Sequence, residues 1–191
     1  YLDAPILMVA GTQMPDLSEA HWTKLRDYAL RGGTLVMVPT GGSKDFVEGC
    51  RKKLVEMFAE QRELAGYGYE LKQLPDDHGI YNAHLPVPNG SKFVPAWALS
   101  DGTRALAIVF ERDLAAGWQR YPLRIEEIDL RMGANLFFYA TGDNSLRSRM
   151  RPVFQGTSRE VRHTARIGWL RHGGNWCTQP WALPTLSRKL T

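Results

Sequence analysis

Two nearly uninterrupted apolar runs close to the start of the chain predict buried strands. They are PILMVA at residues 5–10 and TLVMV at residues 34–38. Runs of this kind are typical of strands covered on both faces in a parallel sheet. Between them, Ser18 can cap a helix that Gly32-Gly33 would end, and the apolar positions of this helix recur at helical spacing: Trp22, Leu25, Tyr28 and Ala29. The pattern predicts a strand–helix–strand unit with a right-handed crossover.

Helices and strands continue to alternate further along the chain. Residues 44–59 carry one apolar stripe at helical spacing, in which Cys50 is a core position, and residues 125–140 carry another. Residues 97–110 predict a hairpin with Asp101-Gly102 at its turn. The pattern is weaker between residues 60 and 95, where GYGYEL is a candidate strand. This alternation predicts an α/β fold with a mostly parallel sheet and an antiparallel hairpin addition.

The pattern divides the chain after residue 143. Residues 1–143 account for one α/β domain, and residues 144–163 are polar and Arg-rich, which is typical of a basic linker. Residues 164–191 then contain a further strand pattern, ARIGWL, and a further helix start, PWALPTLSRKL. This last segment could join the sheet of its own chain or that of a partner.

Composition and charge narrow the class of protein. The 191 residues suit one well-buried core, and two cysteines are too few for a disulfide scaffold. Residues 1–144 hold 15 Lys and Arg against 19 Asp and Glu, a balance of −4, whereas residues 145–191 hold 9 against 1, a balance of +8. The arginines are spread out and accompany no nucleic-acid module, so a nucleic-acid partner is disfavoured. No apolar run has the length of a membrane span, and the compartment is open.

The junction TLVMVPTGGSKDF, residues 34–46, joins a strand to a helix through glycines. Ser43 stands where a hydrolase elbow G-x-S-x-G places its nucleophile, but Asp45 replaces the closing glycine, and a serine before a helix is commonly an N-cap. Gly41 and Gly42, with Lys44 beside them, could also hold a small anion at the helix N-terminus. No nucleotide fingerprint is present, so no cofactor is predicted.

Further candidates surround this junction or lie apart from it. Parallel strands place their ligands at their carboxyl ends, so the loop after the first strand should adjoin Thr40, and Asp113 and Trp118 after the long strand could reach the same crevice. That loop contributes three candidates: Gly11, Thr12 and Gln13. Asp76, Asp77 and His78 could supply an acid–base pair, with His78 as the base for Ser43, or form a capped loop. The spacing of His163, His172 and Cys177 fits no zinc site, so no metal is predicted.

The order and spacing of five stretches resemble a bacterial family of domains of unknown function (four-one-five-nine). The stretches are LSEAHWTKLRDYALRGGTLVMVPTGGSKDF, the following helix up to MF, LPDDHGIY, DGTRALAIVFERDLAAGW and LRMGANLFFYATG. The family is itself similar in fold to the class I glutamine amidotransferases. The resemblance implies a three-layer flavodoxin-like sandwich. It also implies that Val38, Pro39 or Thr40 stands where an amidotransferase carries its catalytic cysteine, so glutaminase activity is not expected.

The tail adds a second resemblance. ARIGWLRHGGNWCTQPWALPTLSRKL resembles the beginning of the same family's domain. Residues 164–191 would then complete the sheet, in cis or swapped into a second copy, or start a further domain. The leading hypothesis is a non-catalytic amidotransferase-like module that binds a small molecule or a protein, within a larger bacterial protein associated with the cell envelope or with regulation. The alternatives are a diverged hydrolase using Ser43 and His78, and a structural scaffold.

Overall fold

The two apolar runs form adjacent parallel strands. The computed structural model describes residues 4–66, 68–119 and 126–141. In it β1 (Ile6–Gly11) pairs with β2 (Thr34–Pro39), and α1 (Glu19–Leu30) connects them. Every residue of β2 is buried, whereas burial on β1 is only partial. The predicted strand–helix–strand unit is confirmed.

The predicted hairpin is also confirmed, and its turn is held by side chains. It consists of β4 (Ala96–Ser100) and β5 (Ala105–Phe110). The Asp101 carboxylate accepts hydrogen bonds from the backbone N–H groups of Thr103 and Arg104, at 2.9 and 3.0 Å. The Arg104 guanidinium donates to the carbonyls of Ala29 and Gly33. Because Ala29 lies in the last turn of α1, where carbonyls lack helical partners, the hairpin turn caps that helix.

Five strands form one sheet in the order β1-β2-β5-β4-β3, where β3 is Glu70–Gln73. β2 and β5 are parallel, and β4 runs antiparallel to both β5 and β3. Four of the five strands therefore point the same way. The predicted α/β class, with a mostly parallel sheet and an antiparallel addition, is what the structure contains.

The number and the ends of the helices differ from those that the sequence pattern predicts. The helix predicted over residues 44–59 is α2 (Lys44–Met57), and a separate helix, α3 (Ala59–Ala65), follows it after Phe58. Three helices, α3, α4 (Gly90–Phe93) and α5 (Leu114–Gln119), were not predicted, since none is long enough to show a helical period. The last described helix, α6, spans Glu126–Thr141, and single 3₁₀ turns lie at Thr40–Gly42 and Gly79–Tyr81.

The sheet separates two apolar cores. On the first face α1 and α2 pack Trp22, Tyr28, Phe46 and Leu54 against the strands. On the second face α5, α6 and the turn at residues 79–81 pack apolar side chains against the other side of the sheet: Ile80, Tyr81, Leu114, Met132 and Leu136. Cys50 is buried in the first core, and burial raises the pKa of its thiol to about 12, so it packs as an apolar side chain.

The predicted linker 144–163 and the segment 164–191 lie outside the described residues, and so do His163, His172 and Cys177. Within the described ranges, no helix combines the length and the apolar composition that crossing a membrane requires.

One buried amide fixes the long loop before β4 to α6. Asn135 is fully buried; its Oδ1 accepts from the backbone N–H groups of His84 and Leu85, at 3.0 and 2.7 Å, and its Nδ2 donates to the Leu85 carbonyl at 2.7 Å. The three hydrogen bonds satisfy the buried side-chain amide of Asn135 and pair three backbone groups of the loop.

Asn135→Ala should lower the free energy of unfolding by about 2–3 kcal/mol, because it leaves these backbone groups unpaired. Urea denaturation measures the change. The matched control is Asn82→Ala at an exposed position, which should change stability by less than about 0.5 kcal/mol. Equal effects of the two substitutions would show that the Asn135 network does not hold the loop.

Candidate functional site

Three loops meet at the carboxyl ends of β1, β2 and β5. The first follows β1 with Thr12 and Gln13, the second is the 3₁₀ turn Thr40–Gly42, and the third follows β5 and contains Asp113. Thr12, Gln13 and the turn are exposed, while Asp113 is half-buried. We call the surface formed by Gly11–Gln13, Thr40–Ser43 and Asp113 the junction crevice.

Ser43 is the N-cap of α2. Its Oγ accepts from the Phe46 backbone N–H at 3.3 Å and donates to the Thr12 carbonyl at 2.6 Å. The first bond satisfies one of the free donors of the helix start, and the second ties the loop after β1 to the loop after β2. Both hydrogen-bonding functions of the hydroxyl are therefore used structurally.

His78 has different surroundings. Its Nδ1 accepts from the Ile80 backbone N–H at 3.3 Å, and its ring lies 5.5 Å from that of Tyr139 on α6. The Tyr139 hydroxyl accepts from the N–H of Ala105, at the amino end of β5, whereas Ser43 follows the carboxyl end of β2. No hydrogen bond joins Ser43 and His78.

The carboxylate of Asp113 occupies the backbone donor of the glycine turn. Asp113 Oδ2 accepts from the Gly41 N–H at 2.6 Å, and Oδ1 accepts from the Ala116 N–H at 2.9 Å, at the start of α5. Gly41 and Gly42 both have left-handed backbones, with φ of 64° and 70°. A Cβ built on either glycine would meet nothing within 4 Å. The space beside the two glycines is therefore unoccupied by described residues, but the N–H of Gly41 is already bonded to the Asp113 carboxylate.

The remaining sequence candidates separate into two groups. At Gly11 a Cβ would come within 3.2 Å of the Gln13 carbonyl and 3.4 Å of the Phe46 ring, so this glycine permits close packing beneath the crevice. Trp118 packs on the second face, and its Nε1 donates to the Asp129 carbonyl at 2.7 Å. The structure therefore brings Gly11–Gln13, Thr40–Ser43 and Asp113 together, and anchors Trp118 on α6.

The stretch Asp76-Asp77-His78 lies in a loop that side-chain hydrogen bonds hold in place. Asp76 Oδ1 accepts from the Ser91 N–H at 2.8 Å, and hydrogen bonds with Ser91 lower the pKa of this carboxyl. Burial lowers the pKa of His78 below its ordinary 6.5, and the neighbouring Asp77 opposes that shift. Across the part of the chain that the structure describes, no cluster of three or more His, Cys, Asp or Glu side chains could hold a metal ion.

The sequence does not predict two clusters of paired polar side chains that the structure contains. Arg112 forms a bidentate ion pair with Asp129: its Nε donates to Oδ1 at 2.6 Å and its Nη2 donates to Oδ2 at 2.9 Å. The hydrogen bond to Asp129 raises the pKa of Arg112. On the other face the Arg51 guanidinium lies 3.7 Å from the centre of the Trp97 ring, whose Nε1 donates to Glu111 at 2.6 Å. The partners in each cluster are far apart in sequence, so no local motif indicates them.

These features define an α/β domain with a polar crevice at the carboxyl ends of its parallel strands. Residues 1–141 match the family described as Domain of unknown function (DUF4159), and the chain belongs to that family. Membership was predicted from the order of its motifs. No curated protein matches the chain.

Asp113→Ala should lower the free energy of unfolding by about 1–3 kcal/mol, because it removes two charge-assisted hydrogen bonds and the cap of α5. Asp113→Asn should cost less, since its single carbonyl oxygen can still accept from Ala116 while the Gly41 bond is lost. Urea unfolding measures both variants, with Asp16→Ala at an exposed position as the control. A neutral Asp113→Ala would mean that the bond to Gly41 does not stabilise the turn.

The pKa of His78 predicts how stability depends on pH. Because this pKa is lower in the folded chain than in the unfolded one, the unfolded chain binds more protons between the two values. Stability should be full above about pH 6.5 and should fall as the pH drops below it, since burial makes the charged imidazole less favourable in the folded chain than in the unfolded one.

The test is His78→Asn, in which Oδ1 retains the accepting position and cannot titrate. Urea unfolding at pH values from 7 down to 5 should show a smaller loss in this variant than in the parent chain. His21→Asn is the control and should keep the parent's pH dependence. The same pH dependence in all three proteins would exclude His78 as its source.

Proposed function

We propose that this domain is a non-catalytic, amidotransferase-like binding module whose junction crevice holds a small polar ligand. The observation that carries the proposal is the pair Gly41-Gly42: both glycines adopt left-handed conformations and leave open space above an exposed turn. Such conformations are favoured where a backbone must approach another molecule closely. The three loops converge where open α/β sheets commonly bind ligands, which also agrees with a flavodoxin-like layering.

The hydrogen bonds of Ser43 and His78 favour binding over hydrolysis. A serine nucleophile needs a base within hydrogen-bond reach, but Ser43 donates to the Thr12 carbonyl, and His78 Nδ1 accepts from Ile80. The residues at the end of β2, Val38, Pro39 and Thr40, offer no thiol. The only cysteine among the described residues is Cys50, inside the first core.

The charge of the crevice favours a neutral ligand. Asp113 already occupies the Gly41 N–H, so phosphate or another anion would have to displace a tethered carboxylate against like-charge repulsion. Two accepted bonds leave the carboxylate with further lone pairs, and the exposed groups of Thr12, Gln13 and Thr40 both donate and accept. These groups suit hydroxyl- or amide-bearing molecules such as sugars, polyols and amino-acid amides.

Thermal denaturation against a panel of sugars, polyols, amides and inorganic phosphate tests the proposal. A ligand present at about 100 times its Kd adds about 2.7 kcal/mol to stability, which corresponds to a rise of a few degrees in Tm. We expect such a rise with a neutral hydroxyl or amide compound and none with phosphate.

Gly42→Ala, compared with Gly66→Ala, locates the site. Both glycines have φ near 70° with open space at the Cβ position, so both substitutions should impose the same backbone cost of about 1 kcal/mol. Only Gly42→Ala places a methyl group in the crevice, and only it should abolish the rise in Tm. If the rise in Tm persists in Gly42→Ala, the ligand binds outside the crevice. If no compound raises the Tm of the parent chain, the small-ligand proposal is contradicted.

A further inference from the structure

β1 is an edge strand of the described sheet, and its apolar side chains are only partly buried. It pairs with β2 on one side, and its other side has no partner among the described residues. The strand is ILMVAG, without a charge or a proline, and the Met8 side chain is 47% exposed. An apolar, unprotected edge of this kind readily pairs with another strand.

The outward-facing backbone groups of this edge can be identified. The Pro5 carbonyl accepts from the Thr34 N–H, so Pro5, Leu7 and Val9 direct their backbone groups toward β2. Since alternate residues of a parallel strand bond to opposite sides, the N–H and C=O groups of Ile6, Met8 and Ala10 face outward.

The direction of α6 limits where a following strand could enter the sheet. Asp129 near the start of α6 pairs with Arg112, which follows the carboxyl end of β5, and Tyr139 near its end contacts Ala105 at the amino end of β5. α6 therefore runs antiparallel to β5 on the second face. A strand that follows α6 would enter the sheet at the amino ends and run parallel to β5.

The handedness of crossovers then selects the position of that strand. The connection from β1 to β2 passes over the first face, through α1, whereas α6 lies on the second face. Right-handed crossovers over opposite faces progress in opposite directions along a sheet. A strand after α6 should therefore lie on the β2 and β1 side of β5, and the first position there that no described strand occupies is the outer edge of β1.

We infer that the segment ARIGWL, residues 165–170, pairs in parallel with β1 of its own chain as a sixth strand. The 23 residues from 142 to 164 suffice for the crossing. They can extend to about 70 Å, whereas three strand spacings amount to about 14 Å. The balance of +8 in residues 145–191 against −4 in residues 1–144 also favours docking of the tail onto its own domain.

Amide hydrogen exchange in the full-length chain, resolved by residue with NMR, tests this pairing. The outward amides of Ile6, Met8 and Ala10 should be protected in the parent protein. Leu7 and Val9, which face β2, report whether the sheet itself is intact.

Proline scanning then identifies the partner. Since alternate amides face the neighbouring strand, one of the two variants Arg166→Pro and Ile167→Pro must remove an inter-strand bond. At least one should speed exchange at Ile6, Met8 and Ala10 by about tenfold or more while Leu7 and Val9 stay protected. Thr157→Pro, in the predicted linker, is the control and should leave all five amides unchanged.

Two results would overturn the inference. One is exchange at Ile6, Met8 and Ala10 that is as fast in the parent chain as in both strand variants. The other is protection that accompanies a dimer in light-scattering measurements of mass at two concentrations, which would assign the edge to a second copy. A protected monomer supports pairing in cis.

Discussion

The ion pair between the half-buried Arg112 and the buried Asp129 fixes the end of the central strand to the last described helix. Asp129 is 2% exposed, and Gly117 leaves the space for it, since a Cβ there would lie 2.1 Å from Asp129 Oδ2. Loss of Arg112 would leave this buried carboxylate without its hydrogen-bonded counter-ion, which is unfavourable. The pair thereby sets both the position of α6 against β5 and the path of the turn that follows β5.

The junction crevice depends on the same turn. Asp113 follows Arg112 directly and points to Gly41, so two adjacent residues of opposite charge hold α6 and the glycine turn respectively. Because Asp113 is tethered beside the Gly41 N–H, its effective concentration there far exceeds that of a free anion in solution. The crevice thus retains the open backbone of an anion site while its own chain supplies the anion.

The parts of the fold that the sequence predicts are those specified by local periodicity. β2 and β5 are buried apolar runs, α2 begins at a recognisable N-cap, and the hairpin turn carries Asp101-Gly102. The end of α2 at Phe58 and the short helices α3 and α5 leave no periodic signal. The sequence also placed the crevice loops together, because the carboxyl ends of parallel strands share one edge.

What the sequence could not predict are contacts between distant elements. The bond from Gly41 to Asp113 spans 72 positions, and the ion pair of Arg112 with Asp129 joins a strand end to a helix. Both depend on where α5 and α6 settle, which packing decides rather than local preference. For the same reason Trp118 was a reasonable crevice candidate, although its ring packs against Gly133 and its Nε1 bonds to α6.

β1 links the crevice to the edge of the sheet. Its last residue, Gly11, leads into Thr12, whose carbonyl accepts from Ser43, so the position of β1 determines one wall of the crevice. A strand held on one side only is less restrained than a strand bonded on both. Any strand that pairs with the outer edge of β1 would therefore also restrain Thr12 and Gln13. A partner at the edge and a ligand in the crevice would favour the same ordered state of β1, so each should strengthen the binding of the other.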